Sequence, residues 1–150
     1  MKVQLKMIVI SCLALFLSGC GNTEKTNTKA MSRNKTTVSR YMEAFNETDH
    51  AAILSCLTED VVWELPGVYR HKGKAAFDKE IENEGFTGKP VIKVTRMSEE
   101  GNIVVAEGTV LATTKDGRKL TIAFCDVFEM ENGLIDKLTS YLMTTNTGNL

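Results

Sequence analysis

The stretch Leu120-Thr121-Ile122-Ala123-Phe124-Cys125-Asp126-Val127-Phe128-Glu129-Met130, followed by Glu131-Asn132-Gly133 and Leu134-Ile135, decides the fold. Successive side chains of a strand point to opposite faces, so Leu120, Ile122, Phe124, Asp126, Phe128 and Met130 share one face while Thr121, Ala123, Cys125, Val127 and Glu129 share the other. Asn-Gly permits the tight reversal of a hairpin, which sends the chain back along Leu134 to Met143. The same reading extends upstream. Lys115-Asp116-Gly117 separates this strand from Ile103 to Thr114, and Glu99-Glu100-Gly101-Asn102 separates that one from Val91 to Ser98. Four antiparallel strands in a meander are expected, the third running from Arg118 to Met130.

Before the meander the period changes. Val38, Tyr41, Met42 and Phe45 recur at i, i+3, i+4 and i+7, the spacing of one helix face, over Lys35 to Glu47. Asp49 is a good N-cap for a short second helix in which Ala52 and Cys56, and Ile53 and Leu57, are i,i+4 neighbours. Val61, Trp63 and Leu65 alternate with Val62 and Glu64 in a strand ended by Pro66-Gly67, and Val68 to Lys72 reads as a loop. Gly73 then precedes a third helix that points Ala76, Phe77 and Ile81 inward, with Gly85 as its stop. Helices first and a meander after them make an α+β layout.

From about Thr37 to Met143 the chain resembles the nuclear transport factor 2-like superfamily, and within it the SnoaL-like group. The resemblance is carried by Tyr41-Met42-Glu43-Ala44-Phe45 followed by Asp49, by Asp60-Val61-Val62-Trp63 with Pro66-Gly67, by Gly73-Lys74-Ala75-Ala76, and by Asp126 to Ile135. It implies a cone-shaped α+β fold for residues 35–145. Three N-terminal helices would pack on a curved, mainly antiparallel sheet with a pocket at the open end, and many members dimerise through the outer sheet face.

Asp126 is the candidate for chemistry, an acid inside an apolar row beside Phe124. Burial disfavours its ionised form, so in a pocket it can donate or accept a proton near neutral pH. The alternative is a structural acid satisfied by neighbouring backbone or a tyrosine, or a solvated one at a strand bend. The resemblance places Tyr41 and Trp63 along the pocket wall and Tyr69 and His71 beside its mouth; the competing reading makes the first pair core aromatics and His71 a solvated loop residue. Glu107 is either a second pocket acid across from Asp126 or an exposed residue of the convex face. Related epoxide hydrolases carry an acid near the end of the last strand, where this chain has Ser140-Tyr141-Leu142-Met143 with Met143 in the acid slot. Their paired-carboxylate arrangement therefore does not carry over, and the isomerase pattern of a Tyr and two acids is not matched convincingly.

The N-terminus belongs to a different physical regime. Lys2 and Lys6 precede an apolar run from Met7 to Leu17, and Leu17-Ser18-Gly19-Cys20 closes it. This resembles a bacterial lipoprotein signal peptide, and the run is too short to span a bilayer core of about 30 Å. The resemblance implies that residues 1–19 are removed, that Cys20 is acylated, and that residues 20–34, polar and poor in large apolar groups, form a flexible tether. Anchoring in a bacterial cell envelope follows. Gly21, where inner-membrane retention is associated with Asp, favours the outer membrane if the cell has two.

The formal net charge is -1 over 150 residues, and loss of Lys2 and Lys6 leaves a more acidic body, so no cationic field exists to hold nucleic acid. With Cys12 in the signal and Cys20 acylated, Cys56 and Cys125 remain: two lone buried thiols in apolar patterns, the alternative being a disulfide between them in an oxidising envelope. No phosphate loop, nucleophile elbow or zinc spacing occurs, so no cofactor or metal is implied. The expected function is a membrane-tethered domain that binds a small, largely apolar ligand in a conical pocket. The alternatives are a cofactor-independent isomerase, cyclase or hydratase using Asp126 as general acid/base, and an envelope interaction or homodimerisation module.

Overall fold

In the computed structural model, residues 30–82 and 84–145 are described, so the expected signal peptide, Cys20 and all of the tether before Ala30 lie outside the described residues. The first helix, α1, spans Arg33–Glu47 and starts two residues ahead of the expected Lys35. The reason is its cap: the Ser32 side chain accepts from the Lys35 amide at 3.1 Å, and its hydroxyl is in turn held by Glu99. Thr48, at φ 54°, ends the helix in the left-handed conformation. Asp49 caps α2 (His50–Ser55) as expected, accepting from the Ala52 amide at 3.0 Å.

The second helix is shorter than its periodicity suggests. Cys56 is its C-cap, and Leu57 opens strand β1 (Leu57–Leu65). Leu57 and Ile135 are register partners, and that cross-sheet pairing outcompetes another helical turn. Tyr69–Lys72 is not a loop but a short strand, β2, folded back on β1 with Trp63 opposite His71. Four residues of mostly polar character show no apolar alternation, so only their pairing reveals them. Helix α3 (Lys74–Ile81) ends before Glu82, short of the expected Gly85.

The meander follows as β3 (Phe86–Glu100), β4 (Ile103–Thr114), β5 (Lys119–Glu131) and β6 (Leu134–Thr144). The six strands lie in the order β2-β1-β6-β5-β4-β3. All neighbours are antiparallel except β1 and β6, which run parallel. The sheet is therefore mixed.

Register shifts interrupt β3 against β4 twice, and β5 against β6 once at Glu129/Met130. An extra residue on one strand bends it and increases local twist, so these irregularities curve the sheet around α1. At the bend Gly108 lies opposite Val94, and a side chain there would overlap the Lys93 carbonyl oxygen and reach within 3.0 Å of the Phe124 ring. Close approach of two strands is thus what requires glycine.

The concave face and the helices enclose one core. Val38, Tyr41 and Met42 of α1 meet Val61 of β1, Phe77 of α3, and Val104, Phe128 and Leu138 of the long strands. Burying a Phe or Leu side chain contributes about 1.5–3 kcal/mol, which is what holds three short helices on the sheet. Among the described residues no helix is long and apolar enough to cross a membrane.

Candidate functional site

The core does not fill the cone. Between α1, the end of α3 and the concave sheet lies a cavity of about 690 Å³, lined on one side by Tyr41, Phe45 and Trp63 and on the other by Ile122, Phe124 and Asp126. Its mouth carries Glu82, Glu84 and Lys89, the last of which is paired with Glu47 at 2.7 Å. A cavity of this size with apolar walls and few polar groups suits a small organic molecule.

Asp126 occupies the inner face of β5 through plain alternation, between Phe124 and Phe128. Its register partners are Ala106 on β4 and Ser140 on β6. Burial disfavours the charged form and pushes the pKa up to about 7, although the neighbouring Ser140 hydroxyl works the other way. One oxygen, Oδ1, is shut off from solvent and has no hydrogen-bond partner. Ser140 is itself held in place: the Trp63 indole Nε1–H donates to its Oγ at 3.2 Å. Trp63 therefore holds Ser140 in place beside Asp126, its register partner on the cavity wall.

The aromatic residues form a continuous stack. Trp63 lies on Phe77 with ring centroids 4.6 Å apart and an interplanar angle of 26°. Phe45 meets Trp63 edge-on at 6.2 Å, and Tyr41 meets Phe45 at 5.0 Å. Burial, reinforced by the Asp126 charge, raises the Tyr41 pKa well above that of a free phenol, so it stays protonated and can serve only as a neutral hydroxyl.

The SnoaL-like domain family matches residues 38–138, from the buried face of α1 to the inner face of β6. The chain belongs to this family. The SnoaL-like domain shares the nuclear transport factor 2-like fold with solved structures. One is an NTF2-like protein of unknown function from Burkholderia pseudomallei, 26% identical, TM-score 0.68, covering 75% of this chain and 92% of that one. Another is an epoxide hydrolase from M. tuberculosis, 21% identical with a TM-score of 0.66, over 74% of this chain and 83% of the other. A third is a putative ketosteroid isomerase from Kribbella flavida, 20% identical with a TM-score of 0.63, over 79% and 83% of the two chains. No curated protein matches the sequence.

Within the SnoaL-like domain the expected site residues divide into two groups. Tyr41, Trp63, Phe124 and Asp126 line one cavity. Tyr69 does not line it; it stands behind Trp63, edge-on at 5.6 Å, with its pKa pushed up to about 12 by burial and by the charges of Glu80 and Asp126. Glu107 is placed away from the cavity. It lies opposite Cys125 on the convex face and pairs with Arg96 at 2.9 Å, because its position in β4 has the opposite parity to Ala106, the neighbour of Asp126. His71 stacks on Tyr69 at 4.6 Å and sits 3.4 Å from Glu80, while His50 is 2.6 Å from Asp78; neither lines the cavity.

Met143 also falls on the convex side, opposite Ala123 and 66% exposed. The residues that β6 turns to the cavity are Leu138, Ser140 and Leu142, so the slot facing Asp126 holds a hydroxyl. Sequence reasoning missed Ser140. The available signal was a single polar side chain between Leu138 and Leu142, two residues from each. Cys56 and Cys125 are both free, Cys56 buried and Cys125 partly so. No cluster of three or more metal-ligating side chains occurs among the described residues.

Proposed function

We propose that this SnoaL-like domain holds a small, largely apolar molecule in its conical cavity, with the Asp126 carboxyl as the group that recognises it. The observation that supports this is a single one: in an apolar cavity of about 690 Å³, Asp126 is the carboxyl on the inner wall, away from Glu82, Glu84 and Lys89 at the mouth. A pocket with apolar walls and one inward acid offers a guest burial for its body and one polar point that fixes its orientation. The test is native mass spectrometry of the full chain purified from its natural source. A bound small molecule that is lost in the cavity-filling variant Ile122→Trp supports the reading, and a wild-type protein that carries no guest and binds none from a small-molecule library overturns it.

A second reading is a proton-transfer enzyme, an isomerase, cyclase or hydratase without cofactor. It is favoured by Asp126 on the cavity wall beside the anchored Ser140, since a carboxyl with a pKa of about 7 both accepts and returns a proton near neutrality. Turnover of the captured molecule that disappears in Asp126→Asn, with binding retained, would separate this from simple binding.

The proposal extends to location. Acylation at Cys20 would tether the domain to the bacterial envelope, in the outer membrane if the cell has two. Metabolic labelling with a fatty acid, and its loss in Cys20→Ala, tests the anchor. The convex face exposes Val91, Leu111, Tyr141 and Met143, apolar side chains suited to a homodimer contact. Light scattering of the full chain, with Leu111→Glu as the disrupting variant, tests that assembly.

A further inference from the structure

We propose that the molecule this cavity takes is an organic amine, an apolar body carrying one ammonium group that pairs with Asp126. This inference rests on the pocket reading above and narrows it to a ligand class.

The charges that line the cavity are of one sign wherever they are free to act. Asp126 lies on the wall, Glu82 and Glu84 lie at the mouth, and the cationic Lys89 is already engaged by Glu47. An anionic guest would meet the carboxylates Asp126, Glu82 and Glu84, and a lysine, Lys89, that Glu47 already engages. A neutral alcohol could hydrogen-bond to Asp126 but would leave its charge uncompensated in an apolar wall, which is the costly arrangement. An ammonium group both donates hydrogen bonds and cancels the charge, so it suits the carboxyl that lines the inner wall.

The walls favour the same choice. Tyr41, Phe45, Trp63 and Phe124 present aromatic surface to the cavity, and ring faces attract cations while tolerating apolar chains. Beside the carboxyl, the Trp63 indole is already engaged, donating to the Ser140 hydroxyl.

Around Asp126 the titratable groups on neighbouring elements are Tyr41 of α1 and Tyr69 of β2, both held protonated by burial. From β4 it faces Ala106 and from β6 Ser140, neither of which titrates. Glu82, Glu84 and Lys89 at the mouth are the charged side chains that remain on the lining. Across the neutral range, then, Asp126 is the group whose charge a guest would sense.

The test uses the chain's single tryptophan, Trp63, whose fluorescence reports on the cavity it lines. The full chain is titrated with 3-phenylpropylamine, with the uncharged 3-phenylpropanol and with the anionic 3-phenylpropionate. The amine should bind at least about 10-fold more tightly than the alcohol at about pH 8.5, a difference of 1.4 kcal/mol in affinity, and the carboxylate should bind weakest. Because the amine stays protonated throughout, its affinity should rise about 30-fold from about pH 5.5 to about pH 8.5 as Asp126 ionises, and the alcohol's should not.

Asp126→Asn should erase both the preference and the pH dependence. If that variant fails to fold, the wild-type pH dependence decides alone. Equal binding of amine and alcohol at both pH values overturns the amine assignment while leaving the pocket reading intact. Absence of quenching by all three probes, together with a native protein that carries no guest, overturns the pocket reading and the amine assignment with it.

Discussion

Substituting Asp126→Asn should make the protein progressively more stable than the wild type as pH rises. The carboxyl has a pKa of 3.8 when solvated and about 7 when folded. Below the first value it is protonated in both states and folding is not penalised. Between the two values the unfolded chain gives up its proton while the folded one keeps it, so the wild type loses stability until the folded pKa is passed, and then levels off. Each pKa unit is worth 1.36 kcal/mol, so the loss from about pH 4 to about pH 8.5 amounts to about 4 kcal/mol. Asn cannot ionise and keeps a similar shape beside Ser140, so the variant escapes the loss.

With a urea dependence of about 2 kcal/mol per molar for a domain of this size, the midpoints of the two proteins should separate by about 2 M at high pH and nearly coincide at low pH. Urea denaturation followed by Trp63 emission reads this directly. Midpoints that stay parallel across the whole range would refute the reasoning, because a carboxyl with ordinary solvation produces no such divergence.

Three further outcomes are expected. Ser140→Ala should raise the Asp126 pKa further by removing the hydroxyl that favours its charged form, and should cost about 1–2 kcal/mol because the Trp63 indole loses its acceptor; carboxyl-carbon NMR and denaturation measure the two effects. Gly108→Ala should destabilise by about 2 kcal/mol or more, since the added methyl meets the Lys93 backbone and the Phe124 ring at the sheet bend; a thermal unfolding curve close to wild type would contradict the close-approach argument. Phe77→Ala should cost about 3–5 kcal/mol, because the ring is 1% exposed and stacks on Trp63, and the emission of Trp63 should shift to the red as water enters.

The meander was legible in the sequence because hairpins are local objects. A turn signal and the alternation on either side of it suffice, and β4 has the expected limits Ile103–Thr114. The same alternation put Asp126 among the inner residues of β5. Faces across strands were harder to read. Glu107 and Ala106 are adjacent, and only the side on which the helices pack decides which of them looks inward.

Ser140 and Met143 show the sharper difficulty. Counted straight from the turn, where Glu131 faces Leu134 and Met130 faces Ile135, Asp126 would stand opposite Thr139 and Met143 opposite the inner residue Ile122. One extra residue in β6, between Ile135 and Lys137, moves Asp126 to Ser140 and turns Met143 outward to Ala123. A bulge reverses the parity of everything beyond it, and nothing in Leu134 to Thr139 announces one. β2 was invisible for a related reason, since its strand character exists only as pairing with β1.

The parallel contact between β1 and β6 has a consequence for biosynthesis. Leu57 meets Ile135, and Trp63 meets Leu138, so the edge hairpin of β1 and β2 acquires its neighbour only when residues near the far end of the domain have been made. A nascent chain emerging from the ribosome can form α1 and the early hairpins but cannot complete the sheet. Such long-separation contacts slow assembly and leave the β1 edge uncovered in the meantime. The sheet therefore closes only when translation of the domain is nearly finished.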